Sequence, residues 1–493
     1  MMAAYVLGID QSTQGTKALL FDSRGTLLCR SDLPHRQIVN EKGWVEHDPA
    51  EVYQNTLRVV KMVVEKAGVP VEEIRVLGIS NQRETALVWD RKTGEPVYHA
   101  VVWQCARGAD ICDGIEKAGH AAMIRSHTGL QLSPYFSAAK IAWVLKHVPG
   151  AQEKADRGEL CCGTMDSWLV YRLTGGKVFA TDYSNASRTQ MFNIHTLRWD
   201  EEVCGLFGIP VSCLAKVRDS NGDFGSTDFE GLFPKAIPIR GVMGDSHGAL
   251  FGQGCLHKGM VKATYGTGSS IMMNIGDKPV LSETVVTSLA WSMDGSVQYV
   301  LEGNINYTGA VITWLKEDLG LVASPAETES LARSANPADT TYLVPAFSGL
   351  GAPYWDSDAR AVIWGMSRTT KKAEIVRAGL ESIAYQITDV VNAMSRESGI
   401  PIAELRADGG PTRNTYLMQF QSDIAGIPIQ VPAAEELSGI GAAYAAGIAA
   451  GIFDRQQIFE GMKREKFIPQ MEAGEQAVRY GGWKAAVSQV LRR

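Results

Sequence analysis

In a chain of 493 residues, three stretches rich in glycine, threonine and serine have the composition of phosphate cradles: Gln11 to Gly15, Gly266 to Ser270 and Gly409 to Asn414. Glycine lets backbone N–H groups close on phosphate oxygens, and hydroxyls add further donors. Asp10 stands directly before the first stretch and Asp408 before the third, while Asp245 precedes Ser246-His247-Gly248. A carboxylate at a strand end beside such a cradle can orient Mg²⁺ through water or take a proton from an attacking hydroxyl, the two tasks of phosphoryl transfer. Taken singly, each loop also suits an ordinary hairpin or βα turn, and each aspartate a helix N-cap or turn. Arg83-Glu84 sets fixed donors beside an acceptor, which suits neighbouring hydroxyls as well as a surface ion pair. No G-x-x-x-x-G-K-[ST] run is present, and Gly439-Ile-Gly-Ala-Ala-Tyr444 ends in tyrosine without opening a strand–turn unit, so P-loop and dinucleotide chemistries are disfavoured. His127, His247 and Cys105 form no Ser-His-Asp order and read as structural.

These residues need strands to carry them. Val6 to Asp10, Ala18 to Asp22 and Thr26 to Leu28 read as an antiparallel meander, with the first loop between the first two strands. Asp48-Pro49 starts a helix that Gly68 ends, and Val76 to Ser80 and Ala86 to Asp90 are strand-like. A mixed helical region runs from about 108 to 175, with a clear helix from Phe136 to His147. Ile237 to Gly244 is again strand-like, and Met260 to Gly276 repeats the opening strand, loop and strand. Apolar spacing predicts a helix over 370–394, Leu405 to Asp408 a strand, and Gly439 to Gly451 a small-residue helix. Two related meanders imply two related α/β halves, divided as 1–250 and 251–493.

The 48 Lys+Arg against 54 Asp+Glu leave a net charge of −6, which excludes a generic nucleic-acid binder. A hydrophobic fraction of 45% excludes a disordered chain. No long apolar run or secretory leader pattern occurs, so a cytoplasmic protein without membrane insertion is expected. Eight scattered cysteines signal neither a zinc site nor a disulfide framework.

Longer stretches resemble the FGGY family of carbohydrate kinases, most closely its glycerol-phosphorylating members, over essentially the whole chain. The resemblance rests on Tyr135 to His147, on Ala361 to Met366 with Ala378 to Gln386, and on SNQRETALVWDRKTGEP, GWVEHDP, AVVWQ and ATYGTGS. It implies two ribonuclease-H-like domains of the actin/hexokinase type, the first holding the substrate and one phosphate loop, the second the nucleotide. It implies ATP- and Mg²⁺-dependent phosphorylation of a primary hydroxyl of a small polyol or sugar. By matching position, Asp245 is the general base, and Arg83, Glu84, Trp103 and Tyr135 line the substrate pocket. Asp10 (holding Mg²⁺ through water), Thr13, Lys17, Thr267 and Gly268 serve the phosphates, and Gly309, Gly410 and Asn414 the adenosine. Three departures stand out. Ser246 replaces a glutamine, and Ser270 a phenylalanine, which removes an apolar wall and widens the pocket for a longer polyol or ketose. Phe233-Pro-Lys-Ala236 replaces a Gly-Thr-Arg-like stretch, so inhibition by fructose 1,6-bisphosphate is not expected. Gln14-Gly15 and Thr313 also differ from the family's usual residues. The alternatives are a xylulokinase-like pentulose kinase and, from another class, an actin-like ATPase without a sugar acceptor. A homo-oligomer, dimer or tetramer, is expected.

Overall fold

The computed structural model describes residues 4–491. The elements that position the site in the first half are β1 (Tyr5–Gln11), β2 (Gly15–Phe21), β3 (Leu27–Pro34), α1 (Pro49–Ala67), β4 (Ile74–Asn81), β5 (Ala86–Asp90), α2 (Ser137–His147), β6 (Leu160–Thr164), β7 (Ile237–Gly244) and α3 (Asp245–Gly252). Those in the second are β8 (Val261–Tyr265), β9 (Ser269–Gly276), β10 (Val286–Met293), β11 (Ser296–Ile305), α4 (Lys372–Ser398), β12 (Leu405–Asp408), α5 (Thr415–Ala425), β13 (Ile429–Pro432), α6 (Leu437–Ala449) and β14 (Arg464–Phe467).

The first sheet runs β7-β4-β1-β2-β3, with Ser226–Thr227 added beside β7, and the second runs β10-β11-β9-β8-β12-β13-β14. In each, a hairpin (β1–β2, β8–β9) is followed by two parallel strands on its first strand's side: β4 and β7, then β12 and β13. The repeated meander of the sequence is therefore a repeated sheet. Asp10 lies opposite Lys17 near the end of β1, and Asp408 opposite Thr264 at the end of β12. The two halves place an acid at the same point of the same topology.

Continuous apolar runs explain these strands: Val6, Leu7 and Ile9 are all fully buried, as expected where helices cover both faces. Asp48 caps α1 by accepting from Ala50 N at 2.8 Å, Pro49 opens it, and Gly68 ends it in the left-handed region at φ 62°. Its Val52, Val59, Val60 and Val63 face the first sheet's core. Helix α6 comes late in the chain, yet its Leu437, Ile440 and Ala443 share a core with Val6, Leu19 and Val76 of the first sheet. Small residues permit this approach: a Cβ at Gly441 would overlap the Gly248 carbonyl of α3.

Two expectations are corrected. The stretch 108–175 is not wholly helical: β6 pairs antiparallel with β5 from Ala86↔Thr164 to Asp90↔Leu160. LCCGT is a short buried run whose periodicity does not separate strand from helix. The third strand extends to Pro34 because its pairing with β2 continues to Gly15↔Pro34.

Candidate active site

Asp245 begins α3 at the end of β7, where that strand emerges beside Asn81 of β4. Its Oδ1 lies 3.2 Å from Arg83 Nε, and it also accepts from Ser246 N at 2.6 Å. Its side chain keeps 34% exposure, while Arg83 keeps 6%. Arg83 is held on its other edge by Glu302 of β11, with two parallel bonds of 2.8 Å. Arg188 bridges Glu84 at 2.5 Å and Glu302 at 3.1 Å, closing a buried network of two guanidiniums and two glutamates beside Asp245. Against the upward push of burial, Arg188 and Arg83 hold the Glu302 carboxyl well below the usual carboxylate range. His247 is pushed well below its ordinary value by burial and by the Arg83 charge, so it stays neutral. Glu84 sits at φ 59°, a left-handed backbone uncommon outside glycine, which its tie to Arg188 maintains.

Aromatic rings complete one wall. Trp103 and Tyr135 meet edge to face with centroids 5.6 Å apart, and Trp103 Nε1 donates to Thr13 Oγ1 at 2.9 Å. The aromatic wall and the first loop are thus joined by one bond. Burial and the neighbouring Glu84 raise the Tyr135 phenol, keeping it protonated. The backbone carrying Tyr135 is pinned by Lys140 of α2, which donates to the carbonyls of Pro134 at 2.6 Å, of Phe136 at 3.2 Å, and of Tyr135 itself.

The first loop is braced from beneath by His35, whose Nε2 lies 3.1 Å from the Thr13 carbonyl. Lys17 is 3.6 Å from Asp10 Oδ2 but 2.6 Å from Glu436 Oε2, and Arg30 pairs with the same glutamate. The cation expected to meet phosphate is therefore shared between two carboxylates. Asp10 and Asp408 line one cleft of about 560 Å³ with Lys17, Gly410 and Arg413. Burial lifts Asp10 to about 6, with Lys17 opposing and Asp245 reinforcing the rise. Burial also raises Asp408, which accepts from Gln253 at 2.9 Å and Thr264 at 3.3 Å.

The second loop packs against Gly309: Gly309 N donates to the Gly266 carbonyl at 2.9 Å, and Ala310 N to the Thr267 carbonyl at 3.1 Å. Thr267, Gly268 and Gly309 therefore form one unit. At the third loop Gly409 takes φ 101°, and a Cβ there would overlap the Tyr265 carbonyl. Asn414 sits differently: its side chain caps α5 by accepting from Leu417 N at 3.0 Å and donates to Thr328 at 3.1 Å. Ser270 accepts from the buried Lys262 ammonium at 3.4 Å, and Thr264 does so at 3.1 Å. These donors fit a metal-nucleotide: Asp10 Oδ1 is buried without a hydrogen-bond partner among the described residues, as a carboxylate awaiting a hydrated cation would be.

Sequence reasoning missed Arg188, Glu302, Lys262 and Glu436. One signal was present, since Glu302 is a single acid directly after the apolar run Tyr299 to Leu301 of a buried strand. The others are recruited from segments without a motif.

Two ribonuclease-H-like halves around an acid-lined cleft define the actin/hexokinase class of fold. The models for the N-terminal and C-terminal domains of the FGGY family of carbohydrate kinases match residues 5–252 and 261–450. The chain belongs to that family. It is 51% identical over 490 residues to glycerol kinase 1 of Thermotoga maritima, covering 99% of each chain. It is 47% identical to a glycerol kinase of Caldanaerobacter subterraneus, covering 100% of this chain and 99% of the relative. The ADP-bound crystal structure of Plasmodium falciparum glycerol kinase superposes with a TM-score of 0.94 at 34% identity, covering 99% of both chains. A xylulose kinase of Lactobacillus acidophilus gives 0.89 at 21% identity over 99% of this chain and 97% of its own, which shows the shared fold.

Proposed function

We propose that this enzyme transfers the γ-phosphoryl group of ATP to a primary hydroxyl of glycerol, with room for longer polyols or ketoses. The observation that carries this reading is Asp245 held at 3.2 Å by Arg83, whose charge also acts on Tyr135, while the Asp245 charge acts on Asp10 of the acid-lined cleft. The names of the full-length relatives favour glycerol; the small polar Ser246 and Ser270 favour added space, and keep a pentulose as the second reading.

In this mechanism Arg83 and Glu84 hold neighbouring acceptor hydroxyls, Trp103 and Tyr135 cover the carbon chain, and Asp245 accepts the proton of the attacking hydroxyl. Fixed orientation and charge placement supply most of the rate. Bound ATP with Mg²⁺ supplies the phosphoryl group and its charge neutralisation. Asp10 would hold the cation through water, the Thr13 and Thr267 loops would cradle the phosphates, and Gly309 and Gly410 would face the adenosine with Asn414 supporting that loop as a helix cap.

Domains 1–250 and 251–493, a cytoplasmic location and a dimer or tetramer belong to the same proposal. No helix among the described residues is long and apolar enough to cross a membrane. Light scattering at assay concentration measures the oligomeric state. A coupled ATP assay across glycerol, tetritols, pentitols and ketopentoses tests the acceptor. A kcat/KM for glycerol far above all longer acceptors sinks the widened pocket. ATP hydrolysis without any phosphorylated product sinks the kinase reading.

A further inference from the structure

A second cavity, of about 910 Å³, opens between the segment after α3 and the segment leading into β14. Its lining carries Lys258, Arg406, Arg455 and Arg464 against a single carboxylate, Glu460. In a chain of net charge −6, that concentration of cations runs against the average. Arg406 is neutralised by Glu404 at 2.8 Å, but Arg464 has no carboxylate within 4.0 Å among the described residues. Two of its five N–H groups are given to Gln253, one to Oε1 at 2.9 Å and one to the backbone carbonyl at 2.6 Å, where Arg406 also donates. Burial, and then the neighbouring Arg406 charge, lower Arg464 to about 10, so an anion here would offset the charge of this pair.

Two arginines on a helix C-terminal carbonyl would by themselves be a capping arrangement. Gln253 makes them more. It is the residue that follows α3, whose first residue is Asp245, and it is fully buried. Its side-chain amide donates to Asp408 Oδ2 at 2.9 Å, and Asp408 lines the other cleft. Arg464, Gln253 and Asp408 thus form one hydrogen-bonded relay from the cationic cavity to the catalytic cleft. The same Gln253 terminates the helix that carries the base. An anion that takes the remaining Arg464 donors draws the guanidinium toward the cavity and weakens its bonds to the two Gln253 oxygens, and so alters how Gln253 holds Asp408 and the end of α3.

We propose that this cavity is a regulatory binding site for a phosphate-bearing anion, held by Arg464 and Arg455 and read by the catalytic cleft through Gln253. The site does not depend on which acceptor the enzyme uses. The test is isothermal titration with inorganic phosphate, the cleft being saturated with a non-hydrolysable Mg–ATP analogue and ionic strength matched with chloride. Saturable binding is expected, about tenfold weaker in Arg464→Gln, the cost of one charge-assisted phosphate contact. Arg455→Gln changes an exposed side chain, leaves the fold intact and is expected to weaken binding as well. In steady-state assays phosphate should shift the KM for MgATP about fivefold or more, the lower range of allosteric coupling. Gln253→Met should abolish that shift while phosphate still binds. Absence of saturable binding, binding in both arginine variants as tight as in wild type, no shift in KM, or a shift equal in wild type, Arg464→Gln and Gln253→Met each overturns the proposal; the last result identifies simple competition at the cleft.

Discussion

At the scale of single residues, the site is governed by how burial and fixed partners set charge. Asp245→Asn preserves shape and removes the proton acceptor, so kcat should fall by about 10²–10⁴ while a non-hydrolysable ATP analogue still binds; a fully active variant refutes the assignment. Asp10, lifted from 3.8 to about 6, gives a pH signature. Because its folded pKa is raised, its contribution to stability is complete below 3.8 and is lost as pH rises through 6. Catalysis runs the other way, since only the ionised carboxylate holds a cation. Apparent Mg²⁺ affinity should therefore fall by about tenfold per pH unit below 6, and Asp10→Asn should flatten that limb. Glu302→Gln leaves Arg83 and Arg188 buried with one carboxylate fewer; urea unfolding should show a loss of about 3–5 kcal/mol.

Elements matter because each functional side chain is aimed by a strand end or helix start that a distant segment supports. Lys140, on α2, is fully buried and spends its donors on the carbonyls around Tyr135 rather than on a ligand. Lys140→Met should free that turn, raising the KM for acceptor several-fold with a smaller change in kcat, since Asp245 and its Arg83 contact lie on other elements. Steady-state kinetics with varied acceptor separates the two parameters. The α6–α3 contact is as direct: Gly441→Ala sets a methyl against the Gly248 carbonyl. It should cost about 1–3 kcal/mol in unfolding and lower kcat, because α3 carries Asp245, the proposed base.

In the whole molecule, charges of the two halves meet at two points. Lys17 and Arg30 of the first sheet's hairpins both reach Glu436, and Arg83 and Arg188 both reach Glu302 on the second sheet. Removing the first meeting point with Glu436→Gln should lower stability by about 1–2 kcal/mol, the range for a partly exposed charged hydrogen bond. It should also change the KM for MgATP, since Lys17 then has Asp10 alone among its two present partners. An unchanged KM would show that Lys17 does not sense the nucleotide.

Much of this was legible locally. Asp10, Asp245 and Asp408 could be placed at strand ends because hydrophobic runs, turn glycines and the repeated meander are properties of adjacent residues. The loops beside them were visible for the same reason. The strand Leu160–Thr164, the role of Asn414 as a helix cap and the partners Arg188, Glu302 and Glu436 were not, because each depends on pairing between segments far apart in the chain. Local sequence specifies which groups can do the chemistry; the packing of two sheets, with α6 laid across the first, sets their separations and burial. Charge state follows burial and distance, so a lysine shared between carboxylates and an arginine left with a glutamine exist only in the folded chain.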